Sequence, residues 1–168
     1  HLNEGHAAFA LVELYRQKIE EGLTPEEAFH HVYNTTLFTT HTPVPAGHDK
    51  FPHWMIDKYF NAYYSGMHMS REDFLKKGLH FEDPPDTFNM AAFCMRMAAH
   101  ANGVSEKHGE VARRMWHFLW PEHKLDEVPI GSVTNGVHIP TWINPRLVTL
   151  INRYISPICP DWFELHDK

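Results

Sequence analysis

The stretch from Thr39 to Asp49, TTHTPVPAGHD, limits this chain more than any other. Thr35, Thr36, Phe38, Thr39 and Thr40 are β-branched or aromatic and read as a strand. Pro43, Pro45 and Gly47 follow at once, so no helix can begin there and the strand opens into a stiff, irregular loop. His41 and Thr42 therefore fall at the carboxyl end of a strand, where α/β folds keep their ligands.

The rest of the chain alternates helical and strand-like segments. His1-Leu2-Asn3 reads as the tail of a strand, and Ala8, Leu11, Val12, Tyr15 and Ile19 fall at helical spacing up to Gly22. Thr24-Pro25-Glu26-Glu27 forms a capping box that starts a second helix through Val32. Phe51-Pro52 opens a third, whose stripe of Ile56, Tyr59, Phe60, Tyr63 and Tyr64 reads as core, and Ser70 caps a short fourth ending near Gly78. His80 to Thr87, with Pro84-Pro85, reads as an exposed connection. Asn89 caps a helix through Ala99, Ala101 to Val104 suits a buried parallel strand, and Ser105 caps a helix carrying Val111, Met115, Phe118 and Leu119. Val128 to Thr134 makes another strand and Asn135-Gly136 a turn. Asn144-Pro145 starts a last helix with Leu147, Val148, Ile151 and Tyr154 inside, and Trp162-Phe163 reads as a tail packed on a neighbour.

Strands separated by helices predict an α/β fold: a Rossmann-like, mainly parallel sheet flanked by helices, with its cleft along the carboxyl strand edge. The segments Asn3 to His6, His41 to Asp49, Asn102 to Ser105 and Asn135 to His138 then share one rim. Glu4, His6, His41 and Asn135 converge on one pocket in that arrangement. The carboxamide of Asn135 both donates and accepts, as a sugar hydroxyl requires.

Composition narrows the partners. A length of 168 residues and 43% hydrophobic content suit one ordinary domain, and a net charge of -6 argues against nucleic acid or an anionic membrane. No apolar run is long enough to span a bilayer. Cys94 lies in an apolar helical pattern and predicts a reduced thiol in a reducing, cytoplasmic setting. Fifteen histidines invite a metal, yet no pair has the H-E-x-x-H spacing and no CxxC exists. His30, His53, His68, His100, His117 and His166 read as solvated or locally bonded. No P-loop, GxGxxG or nucleophile elbow is present.

The segments HLNEGHAAFALVEL, TTHTPVPAGHD, ANGVSEKHGEVARRMW and VTNGVHIPTWI, in this order and spacing, resemble the α-glucan (glycogen, starch, maltodextrin) phosphorylases, and most the shorter bacterial and archaeal branch. The resemblance covers nearly the whole chain but a minor part of the family's sequence. It implies that residues 1–168 are a single partial domain, the later part of the N-terminal domain of a two-domain, GT-B-type enzyme. The start HLNEGHAAF, without methionine, agrees with a piece of something longer.

The family cleaves a terminal α-1,4-linked glucose with inorganic phosphate, giving glucose 1-phosphate with retained configuration, and carries pyridoxal 5′-phosphate. The resemblance implies that His41 is the active-site histidine, its ring on the glucosyl 6-hydroxyl and its main-chain carbonyl facing the reacting end of the sugar. Thr42 belongs to the same motif. Asn135 then shares that hydroxyl, Glu4 and His6 match an aspartate and a histidine of the pocket beside the glucosyl site, and Gly47 and Val104 line it. The lysine that holds the cofactor and the groups that hold the substrate phosphate have no match here, so the chain alone is expected to be inactive. A homo-oligomer, or association with the absent domain, is expected for a partial sheet. The alternatives from other classes are a non-catalytic carbohydrate-binding or assembly module and a metal-binding domain.

Overall fold

The strand-forming run before the proline-rich loop occupies an inner position of a parallel sheet in a computed structural model that describes residues 1–161. Six strands form among the described residues: β1 (Leu2–Asn3), β2 (Leu37–Thr40), β3 (Lys50–Pro52), β4 (Thr87–Asn89), β5 (His100–Gly103) and β6 (Ile130–Ser132). The main sheet has the order β1-β2-β5-β6, every pair parallel, with Leu2 opposite Phe38, Thr40 opposite Gly103 and Ala101 opposite Ile130.

Parallel neighbours require crossovers, and helices supply them. α1 (Phe9–Glu20) and α2 (Pro25–Thr35) join β1 to β2. The longer excursion to β5 holds α3 (His53–Gly66), α4 (Arg71–Lys77), α5 (Met90–Met97) and the antiparallel β3–β4 ladder, and α6 (Glu106–Trp116) leads to β6. The chain is thus α/β with a parallel sheet flanked by helices, as its pattern predicts. All four carboxyl strand ends share one rim.

The helix starts lie where the capping residues put them. Thr24 Oγ1 accepts from the Glu27 amide at 3.3 Å while the Glu27 carboxylate accepts from the Thr24 amide at 2.9 Å, a closed capping box worth about 1 kcal/mol. Ser70, Asn89 and Ser105 cap α4, α5 and α6 with a side-chain oxygen that accepts from the amide three residues on, and Gly22, at φ 97°, ends α1. Below the excursion lies an aromatic core. Phe74, Phe88 and Phe93 are almost fully buried with ring centroids 5.4 to 5.7 Å apart.

Several boundaries differ from the sequence expectation, each for a local reason. α2 continues to Thr35, whose hydroxyl donates to the His31 carbonyl at 2.7 Å, so a β-branched residue is satisfied inside a helix. Phe51 and Pro52 pair with Phe88 and Thr87 in β3, and Pro52 is at the same time the N-cap from which α3 starts at His53. The stretch after Gly78 is not simply exposed: His80 is buried and the Asp83 carboxylate is taken up by Lys50 at 2.5 Å and Asn89 at 2.9 Å. Burial alone raises the Asp83 carboxyl, but those two hydrogen bonds bring it below the usual carboxylate range. On α3, Ile56 and Tyr64 are buried and Tyr59 is exposed. α6 buries His108, Ala112 and Trp116, while Val111 and Met115 are half-buried and Met115 packs against the core.

A second compact unit begins at Asn135 and contains α7 (Ile139–Trp142) and α8 (Pro145–Tyr154), the latter capped by Asn144. No residue of α8 is buried, and Leu147 and Tyr154, expected inside, are exposed. The Trp162-Phe163 pair and His166 lie outside the described residues. No helix among the described residues is long and apolar enough to cross a membrane.

A side chain at Gly78 would press into the Phe88 ring, while nothing stands within 4 Å of a Cβ at Gly136. Gly78→Ala is expected to lower stability by about 1–3 kcal/mol in urea unfolding. Gly136→Ala is not expected to lower it.

Candidate active site

The rim is organised by one carboxylate. Glu4 follows β1, and its amide donates to the Thr39 carbonyl at 2.9 Å as the next rung of the ladder. Its backbone then turns to φ 77°, ψ 167°, a region essentially reserved for glycine and costing about 1–3 kcal/mol. The side chain offsets that cost. Glu4 Oε2 accepts from the His41 amide at 2.7 Å, the Thr42 amide at 3.1 Å and the Thr42 hydroxyl at 3.0 Å, and Oε1 accepts from the Gly5 amide at 3.1 Å. Hydrogen bonds to a charged acceptor contribute about 1.5–3 kcal/mol apiece, with strong coupling among them.

The His41 ring is held as well. Asn3 Oδ1 lies 2.5 Å from His41 Nε2, and an amide oxygen only accepts, so in the neutral ring this contact favours the tautomer with its proton on Nε2 and Nδ1 as acceptor. Beneath this pair, the Thr39 hydroxyl donates to Asn102 Oδ1 at 2.9 Å, tying β2 to β5, and His1 Nε2 meets the same hydroxyl at 2.8 Å. Val104 follows the position paired with Thr40, which sets it beside His41 along the rim. Its amide donates to His108 Nδ1 at 3.2 Å, and Ser105 Oγ accepts from the His108 amide at 3.1 Å, so the Val104 turn is fixed by the first turn of α6. Gly47 lies in a 3-10 turn, where a Cβ would stand 2.7 Å from Thr42 Cγ2. The loop therefore doubles back onto Thr42.

Glu4, His41, Thr42, Gly47 and Val104 are brought together along one edge. His6 is exposed in the 3-10 turn that Glu4 starts, and Asn135 is exposed at the head of the second unit. Asn3 and Asn102, which fall in the rim segments expected from sequence but not among the expected site residues, and His108, which was not expected, hold the site. Asn3 stands next to Glu4 in the motif itself, the one signal that pointed to it. The far end of the loop carries another feature not expected from sequence: His48 is buried, with its ring 5.2 Å from that of Trp116. Of the histidines read as solvated or locally bonded, His30, His68 and His100 are exposed and His117 Nε2 meets the His123 carbonyl at 2.7 Å, whereas His53 is half-buried and its Nε2 has no partner among the described residues.

Among the described residues no group of three or more His, Cys, Asp or Glu side chains is placed to hold a metal ion. Burial, with a smaller contribution from Glu4, pushes the Cys94 thiol far above its ordinary pKa, so it is an inert packing group. Nor does any lysine among the described residues form a pocket suited to a pyridoxal group. Lys50 is committed to Asp83, and Lys77, its amine pushed down by burial, sits with its ammonium 4.6 Å from the centre of the Phe29 ring. Lys18 is paired with Glu21, and Lys58, Lys76, Lys107 and Lys124 are exposed.

A parallel sheet whose carboxyl rim holds a stiff loop through a partly buried network of polar groups defines an α/β protein with a polar, strand-end site. The family model for carbohydrate phosphorylases matches residues 1–167, and the chain belongs to that family. It is 42% identical over 165 residues to the maltodextrin phosphorylase of Thermococcus litoralis, covering 98% of this chain and 19% of that protein. The glycogen phosphorylase of Mycobacterium tuberculosis is 47% identical over 159 residues, 89% of this chain and 18% of that protein. The glycogen phosphorylase of Aquifex aeolicus is 36% identical over 167 residues, 99% of this chain and 23% of that protein. The chain thus spans about a fifth of the length of these relatives.

Glu4→Ala is expected to remove the grip while keeping the strained backbone, costing about 2 kcal/mol or more and speeding amide exchange at His41 and Thr42. Glu4→Gly loses the same bonds but relieves the backbone, so in urea unfolding it should be the more stable of the two, the reverse of the usual order.

Proposed function

We propose that this chain forms the glucosyl-binding side of the cleft of an α-glucan phosphorylase, which cleaves a terminal α-1,4-linked glucose with inorganic phosphate to give glucose 1-phosphate with retained configuration. The observation that carries this reading is the grip of Glu4 on the main chain of His41 and Thr42 at the carboxyl rim. A transition state with oxocarbenium character develops positive charge at the sugar's reacting carbon. A carbonyl dipole held rigid against that carbon stabilises the charged state more than the ground state. His41 supplies that carbonyl, and Glu4 keeps it from turning away.

In this reading the free Nδ1 of His41 accepts from the sugar 6-hydroxyl and Asn135 shares the same hydroxyl. His6, Thr42, Gly47 and Val104 line the pocket, and Glu4 acts on the sugar through His41 and Thr42. The chain belongs to the later part of the N-terminal domain of a GT-B-type enzyme. Pyridoxal 5′-phosphate and the groups that bind the substrate phosphate are assigned to sequence outside this chain, as the family resemblance implies. The free, buried Cys94 supports a reducing compartment, which we take to be the cytoplasm.

The full-length polypeptide should form glucose 1-phosphate from maltodextrin and phosphate, and the 168-residue chain alone should not. His41→Ala and Asn135→Ala should each lower kcat/KM about tenfold to a hundredfold. If both side chains hold one hydroxyl, the double variant should lose less than the product of the two. Fully multiplicative losses would show that they act apart and would sink the shared-hydroxyl assignment. The isolated chain should also sediment as more than a monomer, because Trp142 and Ile158 are 78% and 84% exposed. A monomer at high concentration would count against association.

A further inference from the structure

The loop that presents His41 is held at its far end by a different kind of contact. His48 is a loop residue, yet only 8% of its surface is exposed. Its ring meets that of the fully buried Trp116, at the end of α6, at 5.2 Å and 61°. His80 meets the same indole at 5.5 Å and 87°. The residues that follow His48 are tied down in turn. The Asp49 carbonyl accepts from the Met90 amide at 3.0 Å, and Lys50 enters β3 with its ammonium on Asp83. On the other side, Gly47 lies so near the Thr42 methyl group that a Cβ there would stand 2.7 Å from it. A line of ring packing, chain connection, close approach and hydrogen bonds therefore runs from Trp116 through His48, Gly47 and Thr42 to Glu4, which holds the His41 amide.

We propose that His48 is a positioning residue for His41: its uncharged ring, lodged against Trp116, pins the far end of the loop, and a charged ring leaves that place and frees the loop. The inference rests on the reading of His41 as the residue that faces the sugar.

Burial carries the argument. Neither ring nitrogen of His48 has a hydrogen-bond partner among the described residues, so an added proton would create a buried cation with no acceptor. The charged and titratable groups acting on the ring divide. Burial opposes the charged form most strongly, Glu4 and Asp83 favour it, and Lys50 and His80 oppose it. Glu4 is already engaged by backbone donors and Asp83 by Lys50, and the net effect holds the His48 imidazole below the ordinary histidine pKa. His80 is shifted the same way, mainly by burial, and its Nδ1 accepts from the Glu82 amide at 3.3 Å. A histidine in water takes up its proton near pH 6.5, and the buried ring resists until a lower pH. The open loop thus gains its proton first. Acidification below about pH 6.5 shifts the balance toward the open form, and the effect saturates once the buried ring is charged as well.

The test is amide hydrogen exchange across residues 41–49 in the full-length polypeptide between about pH 7.5 and 5.5, corrected for the intrinsic pH dependence of exchange. It compares the native protein with His48→Phe and His48→Arg. The native loop should open about tenfold more at the acid end, His48→Phe should remove that rise, and His48→Arg should open the loop at every pH. In phosphorolysis, the acid limb of kcat should move to lower pH in His48→Phe. Equal loop exchange in the native protein and His48→Phe at every pH would overturn the proposal, even if His48→Arg fails to fold. Absence of phosphorolysis in the native protein would overturn the proposed function and leave the exchange result standing.

Discussion

The rim depends on Glu4 meeting two demands with one residue. Its amide extends the sheet by bonding to Thr39, and its carboxylate collects the first donors of the loop that β2 releases. Glycine would take the required φ and ψ without strain, but glycine has no carboxylate. The chain accepts backbone strain at Glu4 because only a side chain there can reach the amides of His41 and Thr42. A strained residue at a rim, stabilised by bonds to a neighbouring strand's loop, is the arrangement expected where geometry must be held against relaxation.

The two ends of that loop are secured by different physics. Near β2 the hold is charge-assisted hydrogen bonding, directional and strong in partial burial. Near β3 it is the packing of His48 on Trp116 beside the Lys50–Asp83 pair, which depends on burial and on the ring remaining uncharged. Between them Pro43 and Pro45 reduce the freedom of the backbone, and the contact of Gly47 with Thr42 couples the ends. A loop held in this way can present a main-chain carbonyl as a fixed dipole, which a freely moving loop cannot do.

What was legible in the sequence is what is local. The Thr24–Glu27 box, the caps at Ser70, Asn89 and Ser105, and the glycine that ends α1 are each decided within a few residues, so their side chains announced them. The parallel order followed from strands alternating with helices, and the motifs placed Glu4 and His41 on one rim. The contacts that hold the site were not legible. Glu4 and His41 are 37 residues apart and Thr39 and Asn102 are 63 apart, and no composition or period encodes such pairings. Thr35 misled because a β-branched residue at a helix end can satisfy its hydroxyl on the preceding turn. The exposure of α8 was hidden for another reason: an amphipathic pattern specifies an apolar face but not what covers it.

The bond between Asn3 and His41 carries a last consequence. An unattached imidazole has two tautomers and several rotamers, and a ligand that selects one of them loses affinity to the freezing of the others. Here the carboxamide favours one tautomer of the neutral ring and holds its position, so a donor that reaches Nδ1 meets an acceptor already in place and spends little entropy to use it. The same choice makes the ring selective: a group that can only accept finds no proton waiting on that nitrogen.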